Sequence, residues 1–175
     1  IVKQGKALYV GISKYPPAQA KIAYEMLRAA GVPCLISQYR YSMFDRTVEE
    51  KSLPLAAEQG SGFIAFSPLA QGLLTKKYLH GIPEHSRAAR STGFLKVDQV
   101  TEDKVGKARR LDEIAARRGQ TLAEMALAWV LKDERMTSVI VGTSSVKQLA
   151  DNLHALDNLN FTNEELAEIE GILRL

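Results

Sequence analysis

The sequence predicts an α/β fold built on a parallel sheet, and three observations carry that prediction. Four short apolar runs punctuate the chain, each nearly continuous in hydrophobicity, as strands buried on both faces are. Stretches with the 3.6-residue spacing of amphipathic helices separate the runs. Strands and helices that alternate in this way require crossover connections, which set consecutive strands parallel in one sheet.

Taken in order, Ile1-Val2-Lys3-Gln4-Gly5 reads as the last turn of a helix with its glycine stop. A domain rarely starts on the end of an element, so the expectation is a chain that enters a larger fold partway. Leu8 to Ser13 is the first strand. Pro16-Pro17 pre-sets the backbone for a helix, whose Ile22, Ala23, Leu27 and Ala30 share a face before Gly31 stops it. Cys34 to Tyr39 is the second strand, a weaker helical pattern lies between Arg46 and Gly60, and Phe63 to Phe66 is the third strand.

From Gly72 to Gly93 apolar periodicity fades, and Lys76, Lys77, Arg87 and Arg90 appear; loops of this length in compact folds are often functional. A helix from about Thr101 carries Val105, Ala108, Leu111, Ile114 and Ala115 on one face. Thr121-Leu122-Ala123-Glu124 is a capping box that opens an apolar helix through Leu131. Ser138 to Val141 is the fourth strand. Ser144 or Ser145 caps a helix that runs to about Leu156, and Thr162-Asn163-Glu164-Glu165 caps the last one.

Composition narrows the function classes. With 175 residues and 46% apolar content, residues 1–175 read as a single domain with a substantial core. Lysine and arginine exceed aspartate and glutamate by 23 to 20, a surplus of three, too small for a nucleic-acid footprint. Cys34 is the only cysteine, which excludes an internal disulfide and fits a reducing, cytoplasmic setting. The longest uncharged stretch, Gln59 to Thr75, is broken by glycines and a proline and does not read as a membrane span. His80, His85 and His154 lack metal-ligand spacing, so no metal site is expected. Neither Gly-x-Gly-x-x-Gly nor a Walker loop occurs.

Ligands of parallel α/β folds bind beyond the carboxyl ends of the strands. Four loops leave those ends: Ser13-Lys14-Tyr15, Gln38-Tyr39-Arg40-Tyr41, Ser67-Pro68-Leu69-Ala70-Gln71-Gly72 and Gly142-Thr143-Ser144-Ser145. The last enters a helix, so N–H groups and hydroxyls converge at its positive end; this suits a phosphate, and equally an ordinary serine cap. Lys77 and Arg87 are countercharges or solvated surface residues. Ser13 and Gln38 grip a polar amide or merely cap strand ends. Phe66 is a platform for a flat ring or a core residue. No nucleophile–base pair stands out, and nothing near the tyrosines is placed to depress a phenol's pKa.

Together, Gly11-Ile12-Ser13-Lys14, the run from Gln38 to Arg46, Phe66 to Gly72, Lys77-Tyr78, Gly81-Ile82-Pro83, Ser86-Arg87 and Val141 to Ser144 with Gln148 and Asn152 resemble the aldo-keto reductase family in order and spacing. The likeness covers nearly the whole chain and points to the branch of bacterial glyceraldehyde-phosphate reductases and potassium-channel β subunits. It implies a (β/α)8 TIM barrel, of which this chain holds strands five to eight, and NADPH-dependent reduction of small aldehydes or ketones. By resemblance, Ser13 and Gln38 hold the nicotinamide carboxamide, with Lys14 adding charge nearby, and Phe66 stacks on the ring. Ser67, Pro68, Leu69, Gln71 and Gly72 wrap the pyrophosphate with Lys77, and Arg87 lies over the adenine end. Gly142, Ser144 and Gln148 surround the 2′-phosphate, with Asp151 and Asn152 at the adenine edge. The family's catalytic Asp, Tyr, Lys and His belong to strands one to four, and no such motif occurs here, so no catalytic residue is assigned. A non-catalytic NADPH-binding regulator remains the alternative. The expected partner is a small carbonyl compound, with no nucleic acid or membrane; a homo-oligomer is compatible with the sequence.

Overall fold

A computed structural model describes residues 1–89 and 94–175; Arg90 and Gly93, named above within the long loop, lie outside them. Four parallel strands form one sheet in chain order: β1 (Val10–Ser13), β2 (Cys34–Arg40), β3 (Gly62–Phe66) and β4 (Met136–Ile140). Helices α1 (Pro17–Ala29), α2 (Ser52–Glu58), α3 (Glu102–Arg117), α4 (Leu122–Leu131), α5 (Val146–Leu153) and α6 (Asn163–Arg174) connect and follow the strands. The expected α/β alternation and parallel pairing are both present.

Several boundaries move for local reasons. β1 starts at Val10, because Leu8 and Tyr9 stay exposed ahead of the first paired residue. β2 gains Arg40, which pairs with Phe66 of β3. β4 starts earlier, at Met136, which pairs with Phe63. The pattern from Arg46 to Gly60 yields only α2, since Arg46 is tied to Glu49 and Leu53 N–H bonds Val48 O in a turn before the helix. The opening residues form a single 3₁₀ turn, Val2–Gln4, stopped by Gly5 in the left-handed region. Ser145, not Ser144, caps α5, and His154–Asp157 continues it as a 3₁₀ turn.

Alternation along the strands divides the sheet into two faces. Ser37 and Tyr39 of β2 and Phe63 and Ala65 of β3 are buried under helices, with Leu111 and Ile114 of α3, Met125 and Trp129 of α4, and Ile169 and Ile172 of α6. Tyr39 and Phe63 stack with ring centroids 5.1 Å apart. On the opposite face Ile36, Gln38, Ile64 and Phe66 are half-buried, and Arg40 and Ile140 are exposed. The described helices therefore cover one face only, and β1 and β4 each have a single neighbour.

The stretch after β3 makes a small core of its own, from Leu73, Tyr78, Ala88 and Leu95. Arg109 of α3 ties that loop down, donating two bonds to Leu79 O at 2.9 and 2.7 Å. Low apolar periodicity concealed this core, because its members come from turns rather than one helix face.

Three buried phenols make the fold sensitive to alkali. Tyr24 hydroxyl pairs with Ser37 Oγ at 2.6 Å, Tyr39 donates to Tyr15 O at 2.8 Å and Tyr41 donates to Glu49 Oε1 at 2.7 Å. Burial pushes all three upward from 10.0, Tyr39 to about 12, and for Tyr41 the Glu49 carboxylate adds to the rise. A group whose proton is held more tightly in the folded state stabilises it fully below the unfolded pKa and loses that contribution as pH climbs through the folded value. Denaturant stability is therefore expected to stay level up to about pH 10 and then fall towards pH 12, with Tyr39→Phe showing a shallower fall. An identical alkaline profile in that variant would remove Tyr39 from the account.

Candidate functional site

The carboxyl ends of the four strands open on one rim, and backbone register fixes neighbours there. Ser13 pairs with Gln38, and Lys14 N–H donates to Gln38 O at 3.0 Å, so the first two loops begin side by side. Arg40 pairs with Phe66, and Phe66 with Ile140. Arg40 extends over the Phe66 ring, 5.9 Å from its centroid, so that ring is half-buried on the open face rather than part of the helix-covered core.

Beyond Phe66 the backbone is wound into conformations that side chains resist. Ser67, Ala70 and Gln71 all have positive φ, at 55°, 46° and 60°, followed by Gly72 at 104°. Such values cost on the order of 1 kcal/mol or more each and persist where the surroundings enforce them, typically at ligand clamps. Here the enforcing contacts are Gly72 N–H on Leu69 O at 2.8 Å, Thr75 Oγ1 on Gly72 O at 2.7 Å, and buried Pro68. Lys14, at the end of β1, is the one other non-glycine residue with positive φ among the described residues.

This loop forms one wall of a cleft of about 560 Å³ whose other walls are the long loop and the exit from β4. Ten of the sixteen residues expected from the sequence line it: Ser67, Pro68, Leu69, Gln71, Gly72, Lys77, Arg87, Gly142, Ser144 and Gln148. Arg87 reaches across to the far wall, its Nη2 lying 3.8 Å from where a Cβ on Gly142 would be. Ser144 donates to Gln148 Oε1 through both N–H (2.9 Å) and Oγ (3.1 Å), which leaves the Gln148 amide NH2 without a hydrogen-bond partner among the described residues. Ser145 Oγ accepts from Gln148 N–H and holds the start of α5.

The remaining six do not line the cleft. Ser13, Lys14, Gln38 and Phe66 form the strand-end cluster described above. Asp151 is turned to Lys147, 2.8 Å away on α5, which satisfies its carboxylate. Asn152, one helical turn beyond Gln148, is buried, and its Nδ2 has no hydrogen-bond partner.

Thr75, His85, Ile140, Val141 and Thr143 also line the cleft and were missed. His85 was weighed only as a metal ligand; its position two residues before Arg87, on the loop of cations, was the available signal. Among the described residues no group of His, Cys, Asp and Glu is arranged to hold a metal ion, and no helix is long and apolar enough to cross a membrane.

The electrostatics are one-sided. Lys77 and Arg87 face the cleft, no carboxylate lines it, and neither cation has an ion-pair partner among the described residues. Uncompensated positive charge in a concave site attracts anions. The residues present fit a phosphorylated dinucleotide on three counts. The cations and the start of α5 suit phosphates. The wound loop offers backbone to a pyrophosphate. The orphaned Asn152 donor suits a purine ring nitrogen, since a buried donor left unpaired costs about 1–3 kcal/mol.

A sequence model of the aldo/keto reductase family matches residues 1–174. The L-glyceraldehyde 3-phosphate reductase of Escherichia coli O157:H7 is 48% identical to this chain over 173 residues, and that of Escherichia coli strain K12 is 46% identical over the same length. Each match covers 97% of this chain and 50% of the relative, so the chain spans about half the length of the curated relatives it matches.

Proposed function

The chain belongs to the aldo/keto reductase family, and from that premise we propose that it is the cofactor-binding part of an NADPH-dependent reductase of small aldehydes and ketones, phosphorylated aldehydes among them. The observation that carries this reading is the cleft itself, with two cations that have no ion-pair partner and no lining carboxylate among the described residues, and the serine–glutamine pair at the start of α5. When bound, the reduced nicotinamide supplies a hydride to the carbonyl carbon of the substrate.

The chain's own residues seat that cofactor. Ser13 and Gln38, register partners, hold the carboxamide by donating and accepting together. Phe66 would provide the flat ring against which the nicotinamide stacks. Ser67 to Gly72, with Lys77, encloses the pyrophosphate. Arg87 would hold the adenosine end, Gly142, Ser144 and Gln148 would take the 2′-phosphate, and Asn152 would donate to the adenine edge. Asp151 serves at one remove, through its pair with Lys147.

None of these side chains is placed to protonate the alkoxide that hydride transfer creates. That step falls to a tetrad on four further strands, this chain being strands five to eight of a (β/α)8 barrel. The bare sheet face, the single-neighbour edges at β1 and β4 and the half-length match to the relatives all support that assignment. The carbonyl partner and a cytoplasmic location belong to the same proposal.

The test is a titration of the intact protein with NADPH, followed by reduced-nicotinamide fluorescence, and then addition of glyceraldehyde and its 3-phosphate. Saturable binding with aldehyde-dependent loss of the reduced-nicotinamide absorbance is expected; no NADPH binding would overturn the reading.

A further inference from the structure

A second, smaller cavity of about 130 Å³ lies on the other side of the Ser67–Gly72 loop, between that loop, the turn after β2 and the start of α3. Ser67 and Gln71 line both spaces, so the wound loop is a partition between them. We propose that this cavity seats the phosphate monoester of a phosphorylated aldehyde, with Arg40 and Lys104 as its cations; the proposal rests on the reductase reading above.

Four features carry it. First, Arg40 pairs in register with Phe66 and leans over its ring, so an anion beside Arg40 lies next to the residue assigned to the nicotinamide. Second, Arg40 is underused. Its guanidinium makes no hydrogen bond among the described residues, and its one ion pair, to Asp45, is a loose 4.0 Å. A guanidinium offers five donors in a planar fork that matches phosphate oxygens.

Third, the other polar lining groups can donate. Ser42 is almost fully buried; its hydroxyl accepts from Phe44 N–H at 3.2 Å and donates to no described residue. Gln99 Oε1 accepts from Lys96 N–H, which leaves its NH2 group to offer. Lys104 Nζ contacts Gln99 O at 3.2 Å and keeps two further donors.

Fourth, the two carboxylates in the first turn of α3 are engaged elsewhere. Glu102 bridges to Arg109 and Asp103 to Lys107, both on α3. Asp45 is the one acidic side chain in the lining, and it also accepts from Thr47 Oγ1 at 2.9 Å. Two cations therefore face one carboxylate, and that carboxylate orients Arg40 without neutralising the cavity.

The experiment compares glyceraldehyde 3-phosphate with unphosphorylated glyceraldehyde as substrates of the intact protein with NADPH. Lys104→Met is expected to raise KM for the phosphorylated aldehyde roughly tenfold, the scale of one charge-assisted bond, with kcat and the glyceraldehyde KM little changed. Lys104→Arg should recover most of the loss. Arg40→Met should raise the same KM by at least as much. A second readout needs no turnover: calorimetric binding of glycerol 3-phosphate to the protein, abolished by Lys104→Met. Equal effects on both aldehydes, or glycerol 3-phosphate binding that Lys104→Met leaves intact, would overturn the subsite while leaving the reductase standing. Failure to bind NADPH would overturn the reductase reading, and the calorimetric arm would still decide the subsite.

Discussion

Replacing Arg118 with alanine is expected to destabilise the fold by about 3–5 kcal/mol, the range for removing one partner from a buried ionic network. The Arg118 side chain is only 3% exposed and pairs with Glu165 at 2.5 Å. Its guanidinium also donates to Asn160 O at 2.9 Å and to Gln120 Oε1 at 2.8 Å, and it lies 3.8 Å from the Phe161 ring centroid. One side chain thus fastens the residue after α3 to the segment before α6 and to the first turn of α6 itself. Alanine would leave the Glu165 carboxylate with only its cap bond from Thr162 N–H and would take the guanidinium donor from Asn160 O. Lysine would recover little, because a point charge cannot reproduce the planar fork that stacks and donates in several directions. Denaturant unfolding of the intact protein checks this; a loss below about 1 kcal/mol, the scale of an exposed pair, would show that the network is not the clasp described.

The second large effect concerns cofactor choice. Changing Ser144 and Gln148 together to alanine is expected to weaken NADPH roughly 100-fold, about 2.7 kcal/mol, and NADH by less than about threefold. The two residues act as a unit, because Ser144 donates twice to Gln148 and so aims its amide. Helix α5 survives the change, since Ser145 supplies the cap. Fluorescence titrations with both nucleotides decide it. Equal losses would mean that the start of α5 reads phosphate in general, as a barrel binding simple phosphate esters would, and not the 2′-phosphate.

The residues differ in how openly the sequence announced them. Strand order and most helix starts were legible because they rest on local chemistry: the capping boxes at Thr121 and Thr162 form as read, and the helix expected from about Thr101 starts there, with Thr101 as its cap. Ambiguity remained where two adjacent residues could serve, as at Ser144 and Ser145, and three-dimensional spacing separated them into a cleft-lining residue and the cap. The cleft was legible in part because its lining follows strand ends, which position along the chain reveals. The small core of Leu73, Tyr78, Ala88 and Leu95 was not, since turns bring those residues together without any period. Positive φ at Ser67, Ala70 and Gln71 was equally hidden, as none of these residue types signals it. Arg40 was invisible as a partner of Phe66 because only cross-strand register makes them neighbours.

Sheet order carries a last consequence, for the route by which the chain folds. Every strand pairs with the strand before it in sequence, so β1, β2 and β3 can zip together through short closures as each emerges from synthesis. The excursion from Ser67 to Arg135, by contrast, must close before β4 can dock, and loop-closure entropy grows with the logarithm of its length. The cleft is walled by that same excursion and by the exit of β4. The cleft is thus the last part of this unit to be assembled: nascent chains would pair β1, β2 and β3 well before β4 docks and the cleft takes shape.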